Sequence, residues 1–270
     1  MIEFVVIGPV ITLLGLALLQ YGLLFFAKNG FNHAAFMAAR AGSVANARLD
    51  RVQDAYVRAL VPLYGGGRDS AELAQAYARA QADVAGHVRI ELLNPTRQSF
   101  DDWNDPALQN SLGQGRRVIP NGHLAFKDPA AVRPASGQSI HDANLVQLRF
   151  THGYEPKLPL VRTLYATALR QMDSGSDAFH TQLLQQGRIP VVTEVKLQMQ
   201  SDAIEPEQPV SLPAGGQGAG SGEGTTPAGG APPAGDPGAG ATPAEPPLEP
   251  GPADPGFGEI PPLCGAAPAA

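Results

Sequence analysis

From Phe4 to Ala27 the chain runs 24 residues without a charged side chain. Coiled as a helix at about 1.5 Å per residue, that run spans roughly 36 Å, enough to cross a bilayer with some tilt. A cleaved secretory signal carries a basic leader and a shorter apolar stretch of about 7 to 15 residues. Neither is visible, so residues 1–28 are expected to be a retained, single-pass anchor. Beyond Lys28 the apolar positions take up helical spacing: Phe36, Val44, Leu49, Val52, Tyr56 and Leu60 form a stripe, with Arg40, Arg48, Arg51 and Arg58 largely to one side. This predicts one helix leaving the membrane and extending over 29–62. Gly30 and Gly42 are its weak points, and Pro62 with the glycines after Tyr64 its end.

A second helix is signalled by Asp69 as cap with Glu72 three residues on, followed by "AELAQAYARAQADVAGHVRIELLN" up to Asn94 and Pro95. "NDPALQNSL" repeats the logic in miniature, with Asn104 or Asp105 as cap and Pro106 at the first helical position. The pattern then changes. "RRVIPNGHLAF" predicts a hairpin turning at Pro120, Asn121 and Gly122. "NLVQLRFTHGY" and "IPVVTEVKLQMQSD" alternate with the period of half-buried strands, and between them "LPLVRTLYATALRQM" and "SDAFHTQLLQQ" read as short helices. The expected fold class is α+β: a long N-terminal transmembrane helix continuing into a small antiparallel-sheet head over 63–205.

Residues 206–270 hold 16 of the 26 prolines and no basic residue, with too few apolar side chains to offset the entropy of ordering them. A disordered, acidic Pro/Gly/Ala-rich tail is expected there, acting as a partly extended spacer. The net charge of −6 belongs to that tail, because Met1–Glu205 carries 19 basic and 18 acidic side chains. The body lacks the clustered Lys and Arg of a nucleic-acid surface. Cys264, the single cysteine, excludes an intramolecular disulfide and a thiolate metal site.

Catalytic and metal chemistry find little support. His33, His87, His123, His141, His152 and His180 are scattered, with none at ligand spacing. His141 beside Asp142 is the one adjacent pair, and neighbours in a strand or loop point apart. No G-x-S-x-G elbow or phosphate-binding G-x-x-x-x-G-K-[ST] loop occurs. "LYGGGRDS" precedes a helix start and reads as an interhelical loop, although such a start can also bind an anion. No cofactor, no metal and no enzymatic activity are therefore expected.

The apolar run says more. Gly8, Gly15 and Gly22 recur every seven residues, which places them on one slowly drifting stripe of a helix, with Thr12 close by. Small residues in line let another helix approach closely in lipid, but glycine is also simply common in membrane helices. Gln20 and Tyr21 fall near the far interface. Glu3 stands at the lip of the run. It faces headgroups if shallow and needs a partner if deep, where acids mark function.

"IEFVVIGPVITLLGLALLQYGLLFFAKNGFNHAAFMAARAGS" resembles the N-terminal region of TadE-like proteins, minor pilins of the tight-adherence (Flp-type) pilus. The resemblance rests on Glu3 with Phe4, Pro9, Gln20 with Tyr21, and "NHAAFMAARAG". It extends more loosely to "IHDANLVQLRFTHGYEPKLPLV" and "IPVVTEVKLQMQSD". It implies a structural role in the bacterial inner membrane, with the head on the extracytoplasmic side. The implied partners are membrane lipid, other pilus or pseudopilin subunits and inner-membrane assembly proteins. It also implies a precursor cut after a glycine by a prepilin peptidase if an upstream leader exists, and Glu3 would then neutralise the new amine of an adjacent subunit. Glu3 is thus the expected subunit-registration residue, and Gly8, Gly15 and Gly22 the helix-packing ones. Lys28 and Arg40 follow the span and no basic residue precedes it, so the positive-inside rule alone puts the body in the cytoplasm. A basic leader upstream of Met1 would reconcile the two orientations. The competing expectation is a single-pass, membrane-anchored envelope binding module that enters no filament.

Overall fold

The computed structural model describes residues 2–211, with the side chains of 2–6, 159–161, 164, 166 and 211 outside the description. The expected tail from 212 onward, and Cys264 with it, lie outside the described residues.

The apolar run and its continuation form a single helix, α1 (Ile2–Val44), which passes Gly30 and Gly42 without a break. It ends at Ala45–Arg48, where Asn46 and Ala47 take left-handed backbone angles (φ 59° and 57°). The chain then reverses into α2 (Leu49–Leu60). A helix unbroken to Pro62 was expected, so this is a correction. The reversal shows in the contacts along the seam: a Cβ on Gly42 would meet Val52, and one on Gly30 would meet Leu63. The turn is held from outside. The Asn46 N–H donates to the Ser201 hydroxyl at 2.9 Å and its side-chain amide to the Asp202 carbonyl at 2.7 Å. Val52, Tyr56 and Leu60 of the expected stripe are buried, whereas Phe36 and Val44, before the turn, are exposed.

A 3-10 turn, Val61–Tyr64, leads to α3 (Ser70–His87), capped by Asp69 as expected. The helix expected to run on to Asn94 stops at His87, and Val88–Asn94 is strand β1. Val88, Ile90 and Leu92 point into the core while the charged Arg89 and Glu91 alternate with them, a strand period inside a helix-rich composition. Short helices α4 (Arg97–Trp103) and α5 (Pro106–Ser111) follow, the latter capped by Asp105 with Pro106 first, as read from the sequence. The hairpin expected around Pro120 is absent. Strand β2 (Val118–Ile119) pairs with β5 (Ala203–Ile204), and Leu124–Phe126 is a 3-10 turn. Then come α6 (Ile140–Ala143), β3 (Leu145–Tyr154), α7 (Pro159–Met172), α8 (Ala178–Gln185) and β4 (Ile189–Gln198), the last four at the expected positions.

The main sheet is antiparallel in the order β4-β3-β1-β6, where β6 is Val210–Ser211. Its register pairs Ile90 with Phe150, Phe150 with Thr193, and Glu91 with Val210. Pairing at Val210 and Ser211 carries the folded part past the boundary expected at 206. The long helix is asymmetric along its length. From Ala27 on, one face is buried against the sheet and α2, through Phe31, Ala34, Ala35, Ala38 and Ala39. Alanines at this spacing let backbones approach closely. Before Ala27 the helix is largely bare: Ile11 is 64% and Phe26 69% exposed. Ile7–Val44 is the one described segment long and apolar enough to cross a membrane.

Candidate functional site

The bare half of α1 presents the residues singled out from the sequence. Glu3 lies in the helical backbone, and its side chain is outside the description. The Gly8 carbonyl accepts a hydrogen bond from the Thr12 hydroxyl at 2.9 Å. Gly15 and Gly22 are exposed, and a Cβ added at either would meet nothing within 4 Å. No part of the described chain covers that stripe. Gln20 differs from its neighbours in being buried. Its amide nitrogen donates to the Tyr154 hydroxyl at 3.2 Å and its oxygen accepts from the Leu158 N–H at 3.1 Å, so the head grips α1 from Gln20 upward.

Where the bare half meets the head, the fold places a polar cluster that the sequence reading did not find. Asp83, on α3, receives four side chains. Its Oδ2 accepts from Tyr64 and, at 3.1 Å, from His152 Nε2. Its Oδ1 lies 2.9 Å from Arg188 and 2.9 Å from His87 Nδ1. His152 Nδ1 sits 3.0 Å from the Tyr56 hydroxyl, and the ring stacks on Phe31 of α1 at 3.9 Å between centroids. Arg188 also donates to the Gly153 carbonyl at 2.8 Å. The cluster thereby ties α1, α2, α3, β3 and the start of β4 together at one point.

Protonation follows from burial and partners. Burial pushes the Asp83 carboxyl up, but hydrogen bonds from His152 and Tyr64 and the charge of Arg188 outweigh it and hold the carboxyl well below the usual range. Burial dominates at His152 and lowers it, although Asp83 pulls the other way. With Asp83 ionised, a neutral His152 protonated on Nε2 satisfies the whole chain: Nε2–H donates to Asp83 and Nδ1 accepts from Tyr56. Tyr56 is fully buried, and burial together with the Asp83 charge raises its hydroxyl above the ordinary phenol value. A phenol so placed is a donor to His152 and not a nucleophile open to solvent.

Both groups make the fold acid-labile. The folded pKa values of His152 and Asp83 are depressed, so the stability they carry is present above the unfolded values and lost as pH falls. Below about pH 6.5 the unfolded chain gains a proton at His152 that the fold resists, and below about pH 4 it gains another at Asp83. Urea unfolding of the full chain in detergent is expected to show a midpoint that falls in two limbs between pH 7 and pH 3. A midpoint flat down to pH 4 would remove His152 from this role.

A cavity of about 260 Å³ borders the cluster, walled by Leu23, Phe26 and Phe31 of α1 on one side and by Asp83, His152 and Arg188 on the other. His141 and Asp142 do not combine: Asp142 closes a capping box with Ser139, and His141 faces the Lys127 carbonyl. The loop before α3 is likewise self-satisfied, since Asp69 accepts from the Glu72 N–H and Glu72 from the Arg68 N–H. Among the described residues no group of His, Cys, Asp and Glu is placed to hold a metal ion. One signal for the cluster was legible: Val146, Leu148 and Phe150 share the inner face of β3, and two residues further on that face stands His152.

The profile of the TadE-like protein family matches residues 1–40. Over this segment the chain is similar to TadE-like proteins. The match spans the bare half of α1 and the first turns that pack on the head, so the TadE-like segment is also the one that holds the glycine stripe and Glu3. Searches of curated proteins and of solved structures found no match.

Proposed function

We propose that the protein is a minor pilin or assembly component of a Flp/Tad-type pilus, held in the bacterial inner membrane by α1 with its head outside the cytoplasm. The observation that carries this reading is the division of one continuous helix into a half that packs its own head and a half that, apart from the junction around Gln20, the described residues leave bare. An apolar rod with an open glycine stripe suits close packing against the helices of other subunits, in lipid or in a fibre core. Gly8, Gly15 and Gly22 supply the contact, and Glu3 sets the register by neutralising a neighbour's amine. The Asp83 cluster braces the head against the rod and performs no reaction.

Gly15→Leu with Gly22→Leu, and separately Glu3→Ala, should leave the protein at normal level in the membrane and abolish or sharply reduce surface pili. Pili at wild-type number with all three positions changed would favour an anchored envelope module that enters no filament.

A further inference from the structure

Helix α7 is amphipathic, and it leaves apolar side chains exposed beside its polar ones. Its two arginines reach across the surface and cap the C-terminus of α8. Arg170 donates to the Leu184 carbonyl at 3.1 Å and the Gln185 carbonyl at 2.7 Å, and Arg162 donates to the Gln186 carbonyl at 3.2 Å. These are the carbonyls a helix end leaves free, at its negative pole. The consequence lies opposite. At 3.6 residues per turn, Tyr165, Ala168 and Met172 share a face about 130° around the axis from the arginines. All three are exposed, Met172 at 81%.

The position of this face says what it meets. Leu158, the residue that opens α7, donates its N–H to Gln20, where the head first grips α1 and its bare apolar length begins. Tyr21, Phe25 and Phe26 are exposed on α1 at the same level, an aromatic set of the kind found at a membrane boundary. Exposed Lys157 directly precedes the N-cap of α7, placed to meet an anionic headgroup. An amphipathic helix with an exposed apolar stripe, next to an apolar rod and flanked by a lysine, is suited to lie in an interface.

We propose that α7 lies in the headgroup–acyl boundary of the bilayer that α1 crosses, with Tyr165, Ala168 and Met172 against lipid, so that the head rests on the membrane and does not swing above it. This rests on the reading of α1 as a membrane span. The test uses the full chain carrying Cys264→Ser, reconstituted in nanodiscs of phosphatidylcholine and phosphatidylglycerol, with a bimane label on Met172→Cys and, in a second protein, on Ile11→Cys. The Met172→Cys label should be quenched several-fold more by a lipid nitroxide near the headgroup than by aqueous iodide, and the Ile11→Cys label by a nitroxide deep in the acyl chains. If Ile11→Cys reports lipid while Met172→Cys is quenched only by iodide, the proposal fails and the span stands. A Met172→Cys label shielded from both quenchers means that protein covers the face, which also overturns it. An Ile11→Cys label untouched by either lipid nitroxide removes the span and the proposal together.

Discussion

Asp83→Ala is expected to lower the unfolding free energy of the full chain in detergent micelles by roughly 3–5 kcal/mol, the range for removing one partner of a buried ion pair. The side chains it would strand have little contact with water: Arg188 is 15% and His152 2% exposed. Arg188 would keep one acceptor, the Gly153 carbonyl, and no counter-charge at hydrogen-bonding distance among the described residues. His152 would lose the acceptor for its Nε2–H, and an unmade buried hydrogen bond costs about 1–3 kcal/mol. Arg188→Ala should cost less, because Asp83 would retain Tyr64, His87 and His152. Removing both should cost less than the two losses added, since each single change strands the same pair. Chemical denaturation of the three variants decides this. A loss below about 1 kcal/mol for Asp83→Ala would mean that the site behaves as an exposed ion pair.

The second large effect is expected at Gly42, where α1 and α2 meet. A Cβ at this position would stand 2.6 Å from Val52 Cγ2, and Val52 has no exposed surface into which to retreat. Two terms compete. Replacing a mid-helix glycine by alanine favours the helix by about 1 kcal/mol, and overpacking a filled seam costs about 1–3 kcal/mol. Gly42→Ala should therefore come out near neutral or mildly destabilising. Gly42→Leu cannot be seated without opening the α1–α2 hairpin and should destabilise by several kcal/mol, above the usual overpacking range. Val52→Ala alone should cost about 2 kcal/mol for lost burial. Combined with Gly42→Ala it should cost less than the sum, because the new methyl fills the space Val52 vacates. Strict additivity in that cycle would place the two residues out of contact.

Most elements announced themselves through local signals: Asp69 and Asp105 as caps, Pro106 at a helix start, and the alternation along β3 and β4. Three features did not. The turn at Asn46–Ala47 sits in an Ala/Arg-rich stretch with good helix propensity, and what bends it is a bond to Ser201 and Asp202, some 155 residues away in sequence. Strand β1 sets Val88 and Ile90 among Arg, Glu and Leu, residues that favour helices, and its two-residue period is short enough to hide behind the helix that precedes it. Strand β2 was read as half of a local hairpin, but its partner is β5, far along the chain. The same distance effect hid the Asp83 cluster, whose members are Tyr56, Tyr64, Asp83, His87, His152 and Arg188. Apart from His152, which falls in step with the inner face of β3, spacing in sequence carries no information about such a site. The glycine stripe was legible because a single helix presents it.

The central claim is that the bare half of α1 is a packing surface for other pilus subunits. A benzophenone amino acid at Leu14 or Leu18, both well exposed, tests it in cells that assemble pili. The expected result is a set of discrete cross-linked adducts in which mass spectrometry finds a second pilus subunit, lost when Gly15→Leu and Gly22→Leu are also present. Adducts with lipid alone, from cells bearing pili and holding the protein at its normal level, would contradict it.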